Sequence, residues 1–428
     1  MAKAKVALPG VIERMSLEDK KTSNGHHAAV FAGFSAWTLD AFDFFLITFC
    51  LTAIAKDFRK TDAEIALLIT LTLAFRPVGG FVFGLIADRY GRRVPLMINI
   101  GLFAATEILT GLASNYTTLL VVRAIFGMVM GGQWGIGSSL AMEKAPASKR
   151  GIASGLVQEG YAVGNVLAAI SYFSFYDRLG WRPLFFLGSL PAILLILFIQ
   201  FRVKESEVWA KSKASSWREQ FREAASHWKI FLYLLVFMTT MLFTTHGTQD
   251  MYPTFLQRYW HFSATRRSAI AAFAGMGAIC GGIIGGYLSD RWGRRRAIIV
   301  AFVLGMTMIP LWAFAPNQVL LALGAFVMQF MVQAAWGVIP AHLSELSPNS
   351  VRAFLPGFAY QAAGIIASSV VYVEAVYARK TSYPIAMALT AVSAFALAAI
   401  MAFLGREDQG RDFTAAGEPE LRNAERVT

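Results

Sequence analysis

Charge is scarce in this chain. Only 15% of its 428 residues are Asp, Glu, Lys or Arg, where a soluble domain carries about 25%. The shortage argues against an ordinary water-soluble globule and points to lipid as the solvent. Cysteine is nearly absent as well. Cys50 and Cys280 are the two, each inside an apolar stretch, which argues against a disulfide framework. Segments of roughly ten alternating polar and apolar residues, the pattern of a barrel strand, are missing. The first 28 residues are polar and mixed in charge. They lack the short apolar core and cleavage site of a signal peptide, so the first span is expected to be retained.

Apolar residues are abundant, 56% of the chain, and they come in long runs. Spanning a bilayer takes about 20 of them in helical form. Twelve such runs can be counted, at 29–55, 64–87, 94–113, 117–142, 151–173, 183–202, 229–256, 267–288, 297–315, 318–341, 353–377 and 383–404. With no water to satisfy backbone groups in lipid, each must be a helix. The fold class is therefore an all-α membrane protein with twelve transmembrane helices. Polar segments at 1–28, 203–228 and 405–428 flank two blocks, 29–202 and 229–404. The last of these segments is expected to be disordered.

The net charge of +12 could suggest nucleic acid, but its placement favours topology instead. With a cytoplasmic N-terminus and alternating loops, 27 Lys and Arg fall on the cytoplasmic side and 10 outside. That excess fits the positive-inside rule with both termini cytoplasmic. Residues 203–228, rich in Trp, Phe, Lys and Arg, read as short amphipathic helices at the inner membrane surface.

The chain also repeats itself. GLIADRYGRR at 84–93 returns as GYLSDRWGRR at 286–295, an offset of 202. The same offset carries Trp134-Gly135 to Trp336-Gly337, Glu143 to Glu345 and Arg150 to Arg352. Several matches at one offset mean duplication. Six spans per unit is even, so the two six-helix bundles form a parallel repeat.

Gly84-x-x-x-Asp88-Arg89-x-Gly91-Arg92-Arg93 resembles the signature loop of the major facilitator superfamily, and it stands after both the second and the eighth span. Arg123-x-x-x-Gly127-x-x-x-Gly131-Gly132 in span four resembles that superfamily's Arg-and-glycine motif. The resemblance implies a major facilitator fold, with substrate held between halves that rock to expose it to each side in turn. Asp88, Arg92, Glu143 and Arg150, with Asp290, Arg294, Glu345 and Arg352, are expected to form a gate latch at the inner rim.

Ionisable residues deep in a span cost on the order of 3 kcal/mol and default to function. Asp40 and Asp43 lie three apart in span one, Arg76 in span two, Arg123 in span four and Glu159 in span five. Glu107 and Glu374 are further buried acids open to a packing role. In span seven His246, Gln249 and Asp250 share one helical face. Substrate contact is expected from Arg76, Arg123, His246 and Gln249, and proton coupling from Asp40, Asp43, Glu159 and Asp250.

The motifs WTLDAFDFF at 37–45 and THGTQDMYPT at 245–254 narrow the resemblance to the sialate:proton symporter family, in particular its lactate/pyruvate permease branch. Leu242 stands where that branch has Asn. The resemblance implies a proton-coupled symporter of an organic carboxylate, first lactate or pyruvate, then sialic acid, then an aromatic acid. A membrane sensor or channel on the same scaffold is the rival of a different class, and an enzyme is least favoured. His246 and Asp250 could start a metal site, but His342, the one other histidine inside a span, lies too near the cytoplasmic end. Neither metal nor cofactor is expected. The partners are the small acid, protons and the bilayer of a plasma membrane, a bacterial inner membrane, and the working unit is a monomer.

Overall fold

The computed structural model describes residues 9–213 and 216–414. The first half comprises α1 (Pro9–Phe58), α2 (Asp62–Tyr90), α3 (Arg93–Leu112), α4 (Tyr116–Lys144), α5 (Arg150–Gln158), α6 (Gly160–Leu179) and α7 (Trp181–Arg202). Two short helices follow, α8 (Glu207–Ser212) and α9 (Trp217–Ser226). The second half comprises α10 (Trp228–Gln249), α11 (Tyr252–Arg258), α12 (Ala264–Trp292), α13 (Arg294–Ala313), α14 (Gln318–Trp336), α15 (Ile339–Leu346), α16 (Phe354–Ala367), α17 (Ser369–Lys380) and α18 (Tyr383–Leu404).

Among the described residues, eleven helical stretches are long and apolar enough to cross a membrane. The remaining run, expected at 151–173, is the pair α5 and α6, interrupted by one turn at Glu159. Three other expected spans are also broken: the seventh into α10 and α11, the tenth into α14 and α15, the eleventh into α16 and α17. Pro253 and Pro340 sit in the first turns of α11 and α15, where proline suits a helix start and ends what precedes it. No proline marks the break at Ser368.

Two segments depart from expectation. The first helix begins at Pro9, well before the apolar run at 29, because proline opens a helix readily and no other proline interrupts the polar stretch. The C-terminal segment is not loose up to residue 414. Residues 406–414 lie packed across the face that carries the repeated motifs, and Phe413 is buried there. Residues 415–428 lie outside the described residues.

Packing follows the duplication. α2 lies along α4, as α12 lies along α14, while α5 packs on α12 and α16 on α2. The last two pairings join the halves. The repeated loops make sharp turns at Gly91 (φ 106°) and Gly293 (φ 96°), left-handed positions that favour glycine.

Candidate functional site

The residues expected to form a latch assemble at one end of the interface between the halves. Asp88, at the end of α2, accepts backbone hydrogen bonds from Ala353 (3.0 Å) and Phe354 (2.9 Å) at the start of α16. Asp290 accepts from Gly151 (2.7 Å) and Ile152 (3.0 Å) at the start of α5. Each aspartate thus caps a helix N-terminus of the opposite half, where unpaired N–H groups and the helix dipole favour an anion. Within each half Arg92 Nη2 meets Glu143 Oε1 at 2.9 Å and Arg294 Nε meets Glu345 Oε2 at 2.9 Å. Across the halves Arg150 reaches Glu345 (2.9 Å) and Arg352 reaches Glu143 (3.6 Å). Burial pulls the Arg352 guanidinium down to about 9, against the attraction of Glu143.

Two members of this set were not foreseen. Glu205, after α7, accepts from the backbone of Arg92 (2.9 Å) and Arg93 (3.1 Å). Glu407, after α18, accepts from Arg294 (3.2 Å) and Arg295 (2.9 Å). They stand 202 residues apart, so extending the repeat past the last apolar residue of each half would have found them.

Away from the latch, a cavity of about 810 Å³ opens between the halves. Phe44, Phe45, Arg76, Gln158 and Tyr161 line it from the first half; His246, Gln249, Asp250, Gln333, Trp336, Tyr360 and Gln361 line it from the second. Its latch-side end is aromatic. The Tyr360 ring lies 4.8 Å from Trp134, 5.9 Å from Trp336 and 6.2 Å from Trp37. At the other end Asp250 is exposed, and its Oδ2 lies 2.8 Å from His246 Nδ1. The Gln249 amide donates to Gln329 Oε1 (2.8 Å), which ties it to α14.

Arg76 is the one arginine in this lining. Its guanidinium carbon sits 6.0 Å from the Tyr360 ring centre, and its Nε has no hydrogen-bond partner. Among the described residues no carboxylate forms an ion pair with it within 4.0 Å. A half-buried guanidinium with no carboxylate in direct contact, amid amides and aromatic rings, can bind a carboxylate by paired, charge-assisted hydrogen bonds.

The other expected residues are placed elsewhere. Arg123 does not line the cavity. It is fully buried in a two-point ion pair with Asp43, Nη1 to Oδ1 at 2.9 Å and Nη2 to Oδ2 at 2.5 Å. A substrate contact from Arg123 is therefore closed off in this arrangement, because the shared polarity of spans one and four is satisfied internally. Asp40, three residues before Asp43, is buried with no hydrogen-bond donor on either oxygen, and Arg76 is the charge that acts on it most strongly. Glu159 is buried at the break between α5 and α6, against Gly282 of α12, also without a donor. Glu107 is buried beside Asp43 and Glu374 near Asp250, again with no donors. The sequence reading passed over Gln158, Tyr161, Gln333, Tyr360 and Gln361. Isolated amides in apolar spans were the available signal.

Comparison with known proteins places the chain in a family. Residues 33–250 match the family model of the Major Facilitator Superfamily, and residues 229–406 match that of the sugar (and other) transporters. The chain is 28% identical over 424 residues to a carboxylic acid transporter protein homolog of Saccharomyces cerevisiae, covering 90% of this chain and 69% of that one. It is 29% identical over 346 residues to a sialic acid transporter of Escherichia coli, covering 80% and 84%. The solved structure of a proton:xylose symporter superposes with a TM-score of 0.72 at 16% identity, covering 92% of this chain and 98% of that one, which is a likeness of fold. The chain belongs to the Major Facilitator Superfamily, a superfamily of membrane transporters and not of enzymes.

Proposed function

We propose that this protein is a proton-coupled symporter of an organic carboxylate working by alternating access. The observation that carries the reading is Arg76, a guanidinium that lines a cavity between the two halves with no carboxylate within 4.0 Å among the described residues, together with His246 and Asp250 of the other half. A bare cation there is costly. An arriving carboxylate neutralises it, and its apolar body rests on Tyr161, Trp336 and Tyr360. The relatives named for carboxylic acid and sialic acid transport support the same substrate class.

Protons enter through two candidate groups. Asp43 holds Arg123 only while ionised, so a proton on Asp43 frees the arginine and lets α1 shift against α4. Asp250 shares a hydrogen bond with His246 at the exposed end of the cavity, where a proton can arrive with the substrate. Asp40 and Glu159, buried and without donors, are reserve sites. With the latch closed, the cavity is reached from the opposite face. We take the latch face and both termini as cytoplasmic, since 27 of the 39 Lys and Arg fall on that side in an alternating topology. The setting is then a plasma membrane, a bacterial inner membrane, and one chain suffices.

The narrow motif in span seven favours lactate or pyruvate. The cavity favours a second reading, because about 810 Å³ with aromatic walls suits a ring-bearing acid better than a three-carbon one. Uptake in proteoliposomes, acid outside, competed with lactate, pyruvate, sialic acid and benzoate, decides among them. An uncoupler should abolish accumulation. Uptake that follows sodium and ignores the proton gradient would sink the coupling, and failure of counterflow would favour a channel or sensor.

A further inference from the structure

The segment after α18 leaves the membrane boundary and crosses the latch. Gln409 Nε2 donates to the Asp290 carbonyl (2.7 Å), and the Gly410 backbone N–H donates to Glu345 Oε1 (3.3 Å). Arg411 Nη1 donates to the Glu345 carbonyl (3.0 Å), while its own carbonyl accepts from Arg150 Nη1 (3.1 Å). The chain then drops Phe413 into a buried position, and Asn349 Nδ2 holds its carbonyl at 2.8 Å. Arg150, at the start of α5 in the first half, places its guanidinium 3.7 Å from the Phe413 ring centre. Arg352, preceding α16 in the second half, places its own 3.6 Å away. One ring therefore contacts the two cations that the duplication made equivalent, one from each half.

Those cations need it. Arg150 and Arg352 repel each other, and Arg352, which donates to the Ser344 (2.9 Å) and Ser347 (3.3 Å) carbonyls, is the poorer served by carboxylates. Its cross-half contact to Glu143 is 3.6 Å long, and its Nη1 has no hydrogen-bond partner. An aromatic face attracts a guanidinium, most strongly where water is excluded. Phe413 also packs with Ala153 of the first half and Ala341 of the second in one buried apolar cluster.

We infer that Phe413 is a gate-positioning residue: its ring clamps Arg150 to Arg352 across the halves, so the C-terminal strap must lift off before the latch face opens. The inference rests on the alternating-access reading. It adds that the closed state is set by a residue outside both bundles.

The test uses the full chain with Cys50 and Cys280 changed to Ala, and Ala153→Cys as reporter behind the ring. Inverted vesicles are treated with a membrane-impermeant maleimide. With Phe413 intact the reporter should label slowly. Phe413→Ala should label at least about tenfold faster, the lower bound expected when two cation–π contacts are lost. Phe413→Trp should stay slow. Phe413→Leu keeps apolar bulk without a π face and should label fast, and if Phe413→Ala is poorly produced this variant carries the test. Slow labelling of Phe413→Leu would overturn the clamp. Glu345→Gln serves as an independent opener. If it speeds labelling and neither Phe413→Ala nor Phe413→Leu does, the strap inference fails and rocking stands. If none of the three changes labelling, both the strap and the rocking reading are rejected.

Discussion

Asp43 and Arg123, 80 residues apart in sequence, meet in a two-point ion pair from which water is wholly excluded. Such a pair is weak evidence for stability, yet breaking it from one side leaves a buried unpaired charge and costs about 3–5 kcal/mol. Asp43→Asn should therefore lower the melting temperature in detergent and abolish proton-driven accumulation. Asp43→Asn combined with Arg123→Gln removes the orphan charge, so it should recover much of the stability and none of the accumulation. Accumulation retained in the double mutant would rule Asp43 out as a coupling group.

The His246–Asp250 contact makes a separate claim. Asp250→Asn keeps shape and hydrogen bonding but cannot titrate. It should stop accumulation while leaving exchange of labelled for unlabelled substrate. His246→Ala should lose both, because a cavity-lining contact goes with it. Paired measurement of accumulation and exchange in each variant separates this site from Asp43. If Asp250→Asn still concentrates substrate, coupling lies with Asp43.

Arg76 is the proposed anchor for the substrate carboxylate. A hydrogen bond to a charged group contributes roughly 1.5–3 kcal/mol. Arg76→Gln should then raise KM by about 10- to 100-fold. Arg76→Lys should recover part of this, since an ammonium keeps charge but not the two-point geometry. An unchanged KM in Arg76→Gln would move the anchor elsewhere in the cavity.

Asp88 caps α16 and Asp290 caps α5, with matched geometry. Asparagine keeps one acceptor oxygen where each aspartate uses two, and it loses the charge that pairs with Arg92 or Arg294. Asp88→Asn and Asp290→Asn should each lower transport without affecting membrane insertion, and each should raise labelling of the Ala153→Cys reporter. Normal rates and normal labelling in both would remove the latch role.

Gly131 does not itself line the cavity, yet a methyl group there would overlap the Arg76 carbonyl oxygen. Gly131→Ala must push α2 away from α4 and displace Arg76 from the cavity wall. Transport should fall by about tenfold or more, since small misplacements of binding groups are costly. Equal activity in Gly131→Ala would show that α2 shifts without consequence.

Part of this was legible in the chain itself. Asp88, Glu143, Arg150 and their counterparts at offset 202 led to the expectation of a latch, and the structure places the eight residues of that expectation in one cluster. Glu205 and Glu407 obey the same offset and were missed because they stand in polar segments, where no apolar run draws attention. Phe413 was missed for a related reason: a polar tail reads as disordered, and its order comes from Arg150, Arg352 and Asn349, far away in sequence.

Composition and periodicity determined the solvent, the helices and the duplication, because burying apolar length in lipid and satisfying backbone groups are requirements each segment meets alone. The partners of the buried charges were decided by the tertiary structure. Asp40 and Asp43 lie one turn apart, and span one alone cannot say which meets Arg123 and which sits near Arg76. That depends on how α1 is rotated against α2 and α4. Contacts of α1 such as Gly33 on Gly137 of α4, Gly164 of α6 on Thr38, and the Gln133 amide donating to the Ala36 carbonyl (2.6 Å) set that rotation. The result leaves Arg76, and not Arg123, as the guanidinium facing the cavity.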